Sequence, residues 1–219
     1  MTHLLPCVEI GSNDASHSII WLHGLGADGH DFEPIVDELN LNHSIRFVFP
    51  HAPKMPVSIN NGMIMPAWYD IKATQIDNLQ DEAGIKQSQK LILALIEREI
   101  ERGIKSNNII LAGFSQGGAI ALHTALRSAK PLAGIMGLST YLPLAESVES
   151  EIDDSNRETP IFLAHGTHDP VIPMQLAVNT QATLTDLGYT TELKKYGMEH
   201  SVCPDEIEDI SNWINTVFI

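Results

Sequence analysis

The chain has 219 residues, of which 43% are hydrophobic and 19% are charged, a balance that is typical of a globular protein. Its formal net charge of −15 argues against nucleic-acid binding, because a polyanion would be repelled, and it disfavours electrostatic docking on anionic lipid. Any membrane contact would therefore have to be apolar. We see no signal peptide and no run approaching the ~18 apolar residues of a spanning helix, so we expect a cytoplasmic protein.

The two cysteines, Cys7 and Cys203, cannot form a disulfide framework, and no CxxC pair is present to hold a metal ion. A reducing compartment is the simpler interpretation of this sparse cysteine usage. A single bridge between the two residues stays open at this point.

Short apolar runs alternate with amphipathic runs along the chain, as in a mostly parallel sheet covered by helices. We predict strands at 18–22, 45–49, 108–114, 132–138, 161–164 and 191–196. Between and after them we predict helices at 32–39, 83–102, 116–127, 173–187 and 205–217. Asp31 is the predicted N-cap of the first helix. These elements predict one α/β domain over 1–219, with its ligands bound outside the carboxyl ends of the strands.

Two segments have no regular pattern. We interpret 141–160, which is acidic in its middle, as a solvated surface excursion, and 50–80 as a long loop. The second segment has an apolar content that is unusual for a loop, in Met55, Val57, Ile59, Met63, Ile64, Met65, Trp68 and Tyr69. We predict that it lines or covers a groove for an acyl chain, with Met65, Trp68 and Leu25 contacting the substrate. The alternative is that these side chains only pack the loop on the core.

A G-x-S-x-G motif at 113–117 lies between a predicted strand and a predicted helix, which is the context that a nucleophile elbow requires. Gly113 and Gly117 allow the tight turn, which lifts the Ser115 hydroxyl at the amino terminus of the helix, where the helix dipole favours a developing anion. The motif therefore predicts Ser115 as a nucleophile. A glycine-rich turn with an incidental serine is the alternative.

A serine nucleophile needs a base that is oriented by an acid, and in this type of fold the acid and the histidine follow the serine in that order. His200 follows the last predicted strand and is the one histidine that satisfies both order and position. Asp169 follows the strand at 161–164 and is the predicted acid, although it could also be a simple turn residue. His165 and His168 beside Asp169 raise a metal site as an alternative, but no third ligand is evident, so we predict none.

The glycine-rich run at 23–29 follows the first strand, where backbone N–H groups can approach a substrate oxygen. We assign the oxyanion donors to the N–H groups of Leu25 and Gln116. A phosphate-binding loop is the rival interpretation, and we reject it because neither the GxGxxG spacing nor a GK[ST] ending is present.

Five segments in the same order give the chain a resemblance to the acyl-protein thioesterase / phospholipase–carboxylesterase family. They are Leu22–Gly29, Met65–Asp70, Gly113–Gly118, His165–Pro173 and Gly197–Val202. The resemblance implies an α/β-hydrolase fold with helices on both faces of the sheet and no large cap domain. It implies hydrolysis of carboxylic esters and thioesters of acyl groups on small molecules, lysophospholipids or acylated proteins, through Ser115, Asp169 and His200 and without a cofactor. It also implies that a homodimer can form.

Two other functions fit the sequence less well. A serine peptidase of this fold usually carries an additional cap or domain, for which the chain leaves little room. A non-catalytic lipid-binding protein would be expected to have lost a catalytic part, whereas all parts are present here. We therefore expect an ester or thioester hydrolase.

Overall fold

The computed structural model describes residues 4–72 and 80–218. Its strands are β1 (Cys7–Ile10), β2 (His17–Leu22), β3 (Ile45–Pro50), β4 (Lys54–Val57), β5 (Met63–Pro66), β6 (Ile109–Phe114), β7 (Gly134–Leu138), β8 (Ile161–Gly166) and β9 (Thr191–Tyr196). Its α-helices are α1 (Glu82–Glu101), α2 (Gln116–Leu126), α3 (Ala145–Glu151), α4 (Met174–Asp186) and α5 (Pro204–Val217). Short 3₁₀ turns occupy Glu33–Asp37, Ser58–Asn60, Ser106–Asn108 and Asp154–Asn156.

One seven-stranded sheet runs in the order β1-β3-β2-β6-β7-β8-β9. Only β1 pairs antiparallel with its neighbour in this sheet, and the other strand pairs are parallel. Because parallel strands end at the same edge, the segments that follow β2, β6, β8 and β9 meet there. This edge receives the glycine-rich run at 23–29, Ser115, Asp169 and His200.

The core has two layers, one on each face of the sheet. Successive side chains of a strand point to opposite faces, so Ile20 packs with helices α1 and α2 while Trp21 packs with α5 on the other side. Both faces of the inner parallel strands are covered, which explains their continuous apolar runs, whereas the edge strand β9 is partly exposed. The predicted fold class, a mostly parallel sheet with helices on both faces and no large cap, is confirmed.

The sequence predicts the long helix closely, because α1 buries the stripe that contains Ile85, Ile92, Leu95 and Ile96. Strand β1 was missed, since it has only four residues and lies half-exposed at the sheet edge. The helix predicted at 32–39 is wrong: a 3₁₀ turn with a proline in its first turn takes its place. Asp31 is not its cap, because Phe32 holds that position without a side-chain hydrogen bond.

The two segments predicted as irregular contain regular structure. Strands β4 and β5 form a hairpin within 50–80, and helix α3 lies within 141–160. Residues 73–79 of the first segment lie outside the described residues. Among the helices in the described part of the chain, none has the length and apolar character needed to cross a membrane.

Candidate active site

Ser115 stands in a strained turn between β6 and α2, with φ 55° and ψ −121°. A Cβ at Gly113 would collide with the backbone of Gly117, and a Cβ at Gly117 would collide with the backbone of Leu22 and His23. The two glycines of the motif are therefore required by the close approach of helix, strand and turn. Strain of this kind at a non-glycine residue persists only when the surroundings hold it in place.

Hydrogen bonds from β7 and the segment after it hold the elbow. The Ser115 N–H donates to the Leu138 carbonyl at 2.8 Å. The buried Thr140 hydroxyl donates to the Ser115 carbonyl at 2.7 Å, and the Ala119 N–H donates to the same oxygen at 3.1 Å. Both backbone groups of Ser115 are thus fixed, which leaves the direction of its side chain determined by the turn.

The edge of the sheet brings Ser115, His200 and Asp169 into one chain of hydrogen bonds. The His200 Nε2 atom lies 2.9 Å from the Ser115 Oγ atom, and the His200 Nδ1 atom lies 2.7 Å from the Asp169 Oδ2 atom. Since an ionised carboxylate only accepts, His200 Nδ1 carries the proton and Nε2 is left to accept from the serine. The Phe114 ring packs on His200 with 4.7 Å between ring centroids.

The Asp169 carboxylate is held on its other side by a turn. Its Oδ1 atom accepts from the Val171 N–H at 2.8 Å and from the Ile172 N–H at 2.9 Å. The carboxylate is fully buried. A carboxylate with two backbone donors and one imidazole donor is both satisfied and fixed in direction.

Within the described part of the chain, the other histidines that follow Ser115 make no hydrogen bond to its hydroxyl. His123 is fully buried within α2, and burial lowers its pKa to about 3, so that it is neutral. His165 is also fully buried, and burial lowers its pKa. His168 is exposed. Within residues 4–72 and 80–218, no cluster of three or more His, Cys, Asp or Glu side chains could hold a metal ion.

The segment 66–69 ties the glycine-rich run to the elbow. The Gly26 N–H donates to the Pro66 carbonyl at 2.9 Å, and the Trp68 indole N–H donates to the His23 carbonyl at 2.8 Å. The Gln116 side chain accepts from the Trp68 N–H at 2.8 Å and donates to the Tyr69 carbonyl at 2.8 Å. These contacts fix the two loops that carry Leu25 and Gln116 relative to each other.

A cavity of about 240 Å³ opens beside Ser115. Its lining is mostly apolar and consists of Leu25, Ile59, Asn60, Tyr69, Ile71, Ser115, Gln116, Tyr141, Val171 and Ile172. Leu25 is among these lining residues, whereas Met65 and Trp68 are not, and Trp68 is buried. The contact of these three residues with the substrate stays a prediction.

Large apolar side chains are exposed both in the cavity lining and in the hairpin of β4 and β5. Ile59 and Val171 line the cavity and are also exposed at its rim. Met63 and Ile64, in the hairpin of β4 and β5, are 63% and 70% exposed. Exposed groups of large apolar residues commonly mark contact sites.

The family described as Phospholipase/Carboxylesterase matches residues 4–218. The chain belongs to this family. An acyl-protein thioesterase 1 of Gibberella zeae is 37% identical over 222 residues, covering 96% of this chain and 94% of that protein. One of Neurospora crassa is 39% identical over 208 residues, covering 90% and 85%. The crystal structure of Arabidopsis thaliana SOBER1 superposes with a TM-score of 0.88 at 33% identity, covering 93% of this chain and 99% of that one.

Membership in this family confirms the predicted activity class, so that the chain is a hydrolase of carboxylic esters or thioesters. Sequence reasoning missed two features of the site in this family member. The first is the Gln116 side chain, whose amide binds the segment 66–69, and the second is the buried His165 beside Asp169. The Gln116 contacts join residues that are more than 40 positions apart, so a single sequence does not mark them. His165 lies only four positions before Asp169, but the sequence pattern raised it as a metal ligand and not as a supporting residue.

Proposed function

We propose that Ser115 is the nucleophile of this hydrolase, that His200 is its general base and that Asp169 orients His200. The observation that carries the proposal is the unbroken path from Ser115 Oγ to His200 Nε2 at 2.9 Å and from His200 Nδ1 to Asp169 Oδ2 at 2.7 Å. His200 takes the serine proton as the oxygen attacks the acyl carbon, then gives it to the departing alcohol or thiol. Water, activated by the same imidazole, hydrolyses the acyl-enzyme.

The oxyanion that forms during attack is stabilised by the N–H groups of Leu25 and Gln116. Gln116 is the first residue of α2, and the first four N–H groups of a helix have no partner within it. Both residues line the cavity together with Ser115. The hydrogen bonds of segment 66–69 support the proposal, since preorganised donors stabilise a transition state without reorganisation.

The acyl group of the substrate occupies the cavity of about 240 Å³, whose walls include Leu25, Ile71 and Ile172. Burial of an alkyl chain there is favoured by about 0.8 kcal/mol for each CH₂ group. We therefore expect the hydrolase to prefer medium-length acyl chains to acetate. The alcohol or thiol lies towards His200, which must protonate it.

An S-acylated protein is our proposed substrate alongside small esters, because relatives of the chain are named acyl-protein thioesterases. The exposed apolar side chains of Met63 and Ile64 support a transient contact with the apolar part of a membrane. Because the net charge is −15, anionic headgroups do not attract the protein electrostatically, and the proposed contact is apolar. A cytoplasmic location agrees with the unpaired thiols of Cys7 and Cys203, and the homodimer stays a prediction.

The proposal is tested with p-nitrophenyl esters and a fluorophosphonate probe. Ser115→Ala should abolish both turnover and labelling, and peptide mapping should place the label on Ser115. Ser150→Ala changes an exposed serine and is the matched control. His200→Gln should abolish turnover while His168→Gln keeps it. Retained turnover in Ser115→Ala, or a label on another serine, would refute the assignment.

A further inference from the structure

His165 lies next to the proposed acid but outside the path of proton transfer. Its ring is fully buried, and its Nε2 atom lies 2.8 Å from the Ile172 carbonyl oxygen and 3.4 Å from the Asp169 Oδ2 atom. Since a carbonyl oxygen only accepts, Nε2 carries the proton and donates to Ile172. Its Nδ1 atom is buried without a hydrogen-bond partner, which agrees with a neutral ring.

The turn from Asp169 to Ile172 is held at both ends by these contacts. The Asp169 carboxylate accepts from the N–H groups of Val171 and Ile172, at 2.8 Å and 2.9 Å. The carbonyl of Ile172 in turn accepts from His165. Ile172 is therefore fixed through both of its backbone groups, one by the proposed acid and one by the buried imidazole.

The same turn forms part of the cavity beside Ser115. Val171 and Ile172 line that cavity, while Asp169 at the start of the turn faces His200. A shift of this turn would move the cavity wall and the carboxylate together. Small displacements matter here, because a misplacement of about 1 Å can lower a rate by about 10²-fold.

We infer that His165 is a positioning residue which, through its Nε2–H bond to Ile172, sets both the direction of Asp169 and the wall of the acyl cavity. The inference rests on the proposed role of Asp169. It assigns to His165 no contact with the substrate and no part in proton transfer. Chemistry and acyl-chain recognition are coupled in this hydrolase by one buried hydrogen bond.

Three substitutions separate the hydrogen bond from the shape of the ring. His165→Gln places an amide N–H the same number of bonds from the backbone as Nε2, and should keep the contact with Ile172. His165→Asn offers the same amide one bond shorter, at the position of Nδ1, and His165→Leu removes the donor altogether. If His165→Leu fails to fold, the Gln and Asn pair still decides the question.

Each variant is assayed with p-nitrophenyl acetate and p-nitrophenyl octanoate. We expect His165→Asn and His165→Leu to lose about tenfold in kcat with both esters, and to raise the KM for octanoate severalfold more than the KM for acetate. We expect His165→Gln to stay within about twofold of the wild type in both quantities. Fluorophosphonate labelling of Ser115 in the wild type tests the proposed function separately, so that the two can fail independently.

Three results would overturn the inference. One is that His165→Gln is impaired as much as His165→Leu, which would make ring shape the cause. Another is wild-type kinetics in both the Asn and Leu variants. The third is a loss of kcat with an unchanged ratio of KM values for the two esters, since the cavity wall would then be independent of His165.

Discussion

Glu206 near the start of α5 is a buried acid, and replacing it with glutamine should change how stability depends on pH. The side chain is fully buried, and no side chain in the described part of the chain bonds to its carboxyl oxygens. Burial raises its pKa to about 8; the nearby Cys203 backbone N–H lowers it in part, and the charge of Asp209 raises it further.

The sign of the effect follows from proton counts. Between pH 4.5 and about 8 the folded state keeps the Glu206 proton and the unfolded state has lost it. The contribution of this group to stability is therefore complete below pH 4.5 and is lost as the pH rises towards 8. At pH 7 the loss amounts to about 3 kcal/mol, since each pKa unit corresponds to about 1.4 kcal/mol.

Urea unfolding followed by tryptophan fluorescence at pH 5, 6, 7 and 8 measures this directly. As the pH rises, the free energy of unfolding of the wild type should fall by about 1 kcal/mol per pH unit more than that of Glu206→Gln. Asp205→Asn changes an exposed acid in the same helical turn and should keep the wild-type slope. Parallel curves for the wild type and Glu206→Gln would refute the reasoning, whatever constant offset separates them.

Two further substitutions test other buried polar groups. Burial, with a smaller effect of Arg127, lowers the pKa of His123 to about 3, so stability is lost as the pH falls from 6.5 towards 3. His123→Leu should flatten that loss, as measured by urea unfolding at pH 4 to 7, and an unchanged slope would contradict the assignment. Thr140→Val removes the hydroxyl bond to the Ser115 carbonyl and should lower kcat for p-nitrophenyl esters about tenfold with little change in KM. Equal kcat values would show that Leu138 and Ala119 suffice to hold the elbow.

Periodicity predicts most of the sheet and its helices because burial on one or both faces leaves a clear pattern. Helix α1 shows this well, since its apolar stripe has one interpretation. The same stripe carries Glu99, which is buried in an ion pair with Arg46 of β3 at 3.0 Å. A helical pattern does not reveal a partner 53 positions away. In the sequence Glu99 therefore resembles an exposed charged residue.

The hairpin of β4 and β5 was missed because Pro56 and Pro66 resemble loop residues in the sequence. Proline is tolerated there since the hairpin has two edge strands. A signal that could have found it is Asn61-Gly62, which has positive φ at both residues and favours a tight turn. Trp68 is ambiguous in the sequence for a different reason. An aromatic residue in an apolar segment can face a ligand or the core, and the structure buries Trp68 with its indole N–H bonded to the His23 carbonyl.

The segment 66–69 connects the two proposed oxyanion donors, Leu25 and Gln116. Its carbonyl at Pro66 holds Gly26, next to the proposed donor Leu25, and its backbone at Trp68 and Tyr69 holds the side chain of the proposed donor Gln116. The hairpin strand β5 leads directly into this segment, and Ile59 between β4 and β5 lines the cavity, so we expect a movement of the hairpin to move the proposed donors as well as the cavity wall. A substrate or surface that contacts the exposed hairpin would therefore change turnover as well as affinity, because the donors must be in place before charge develops.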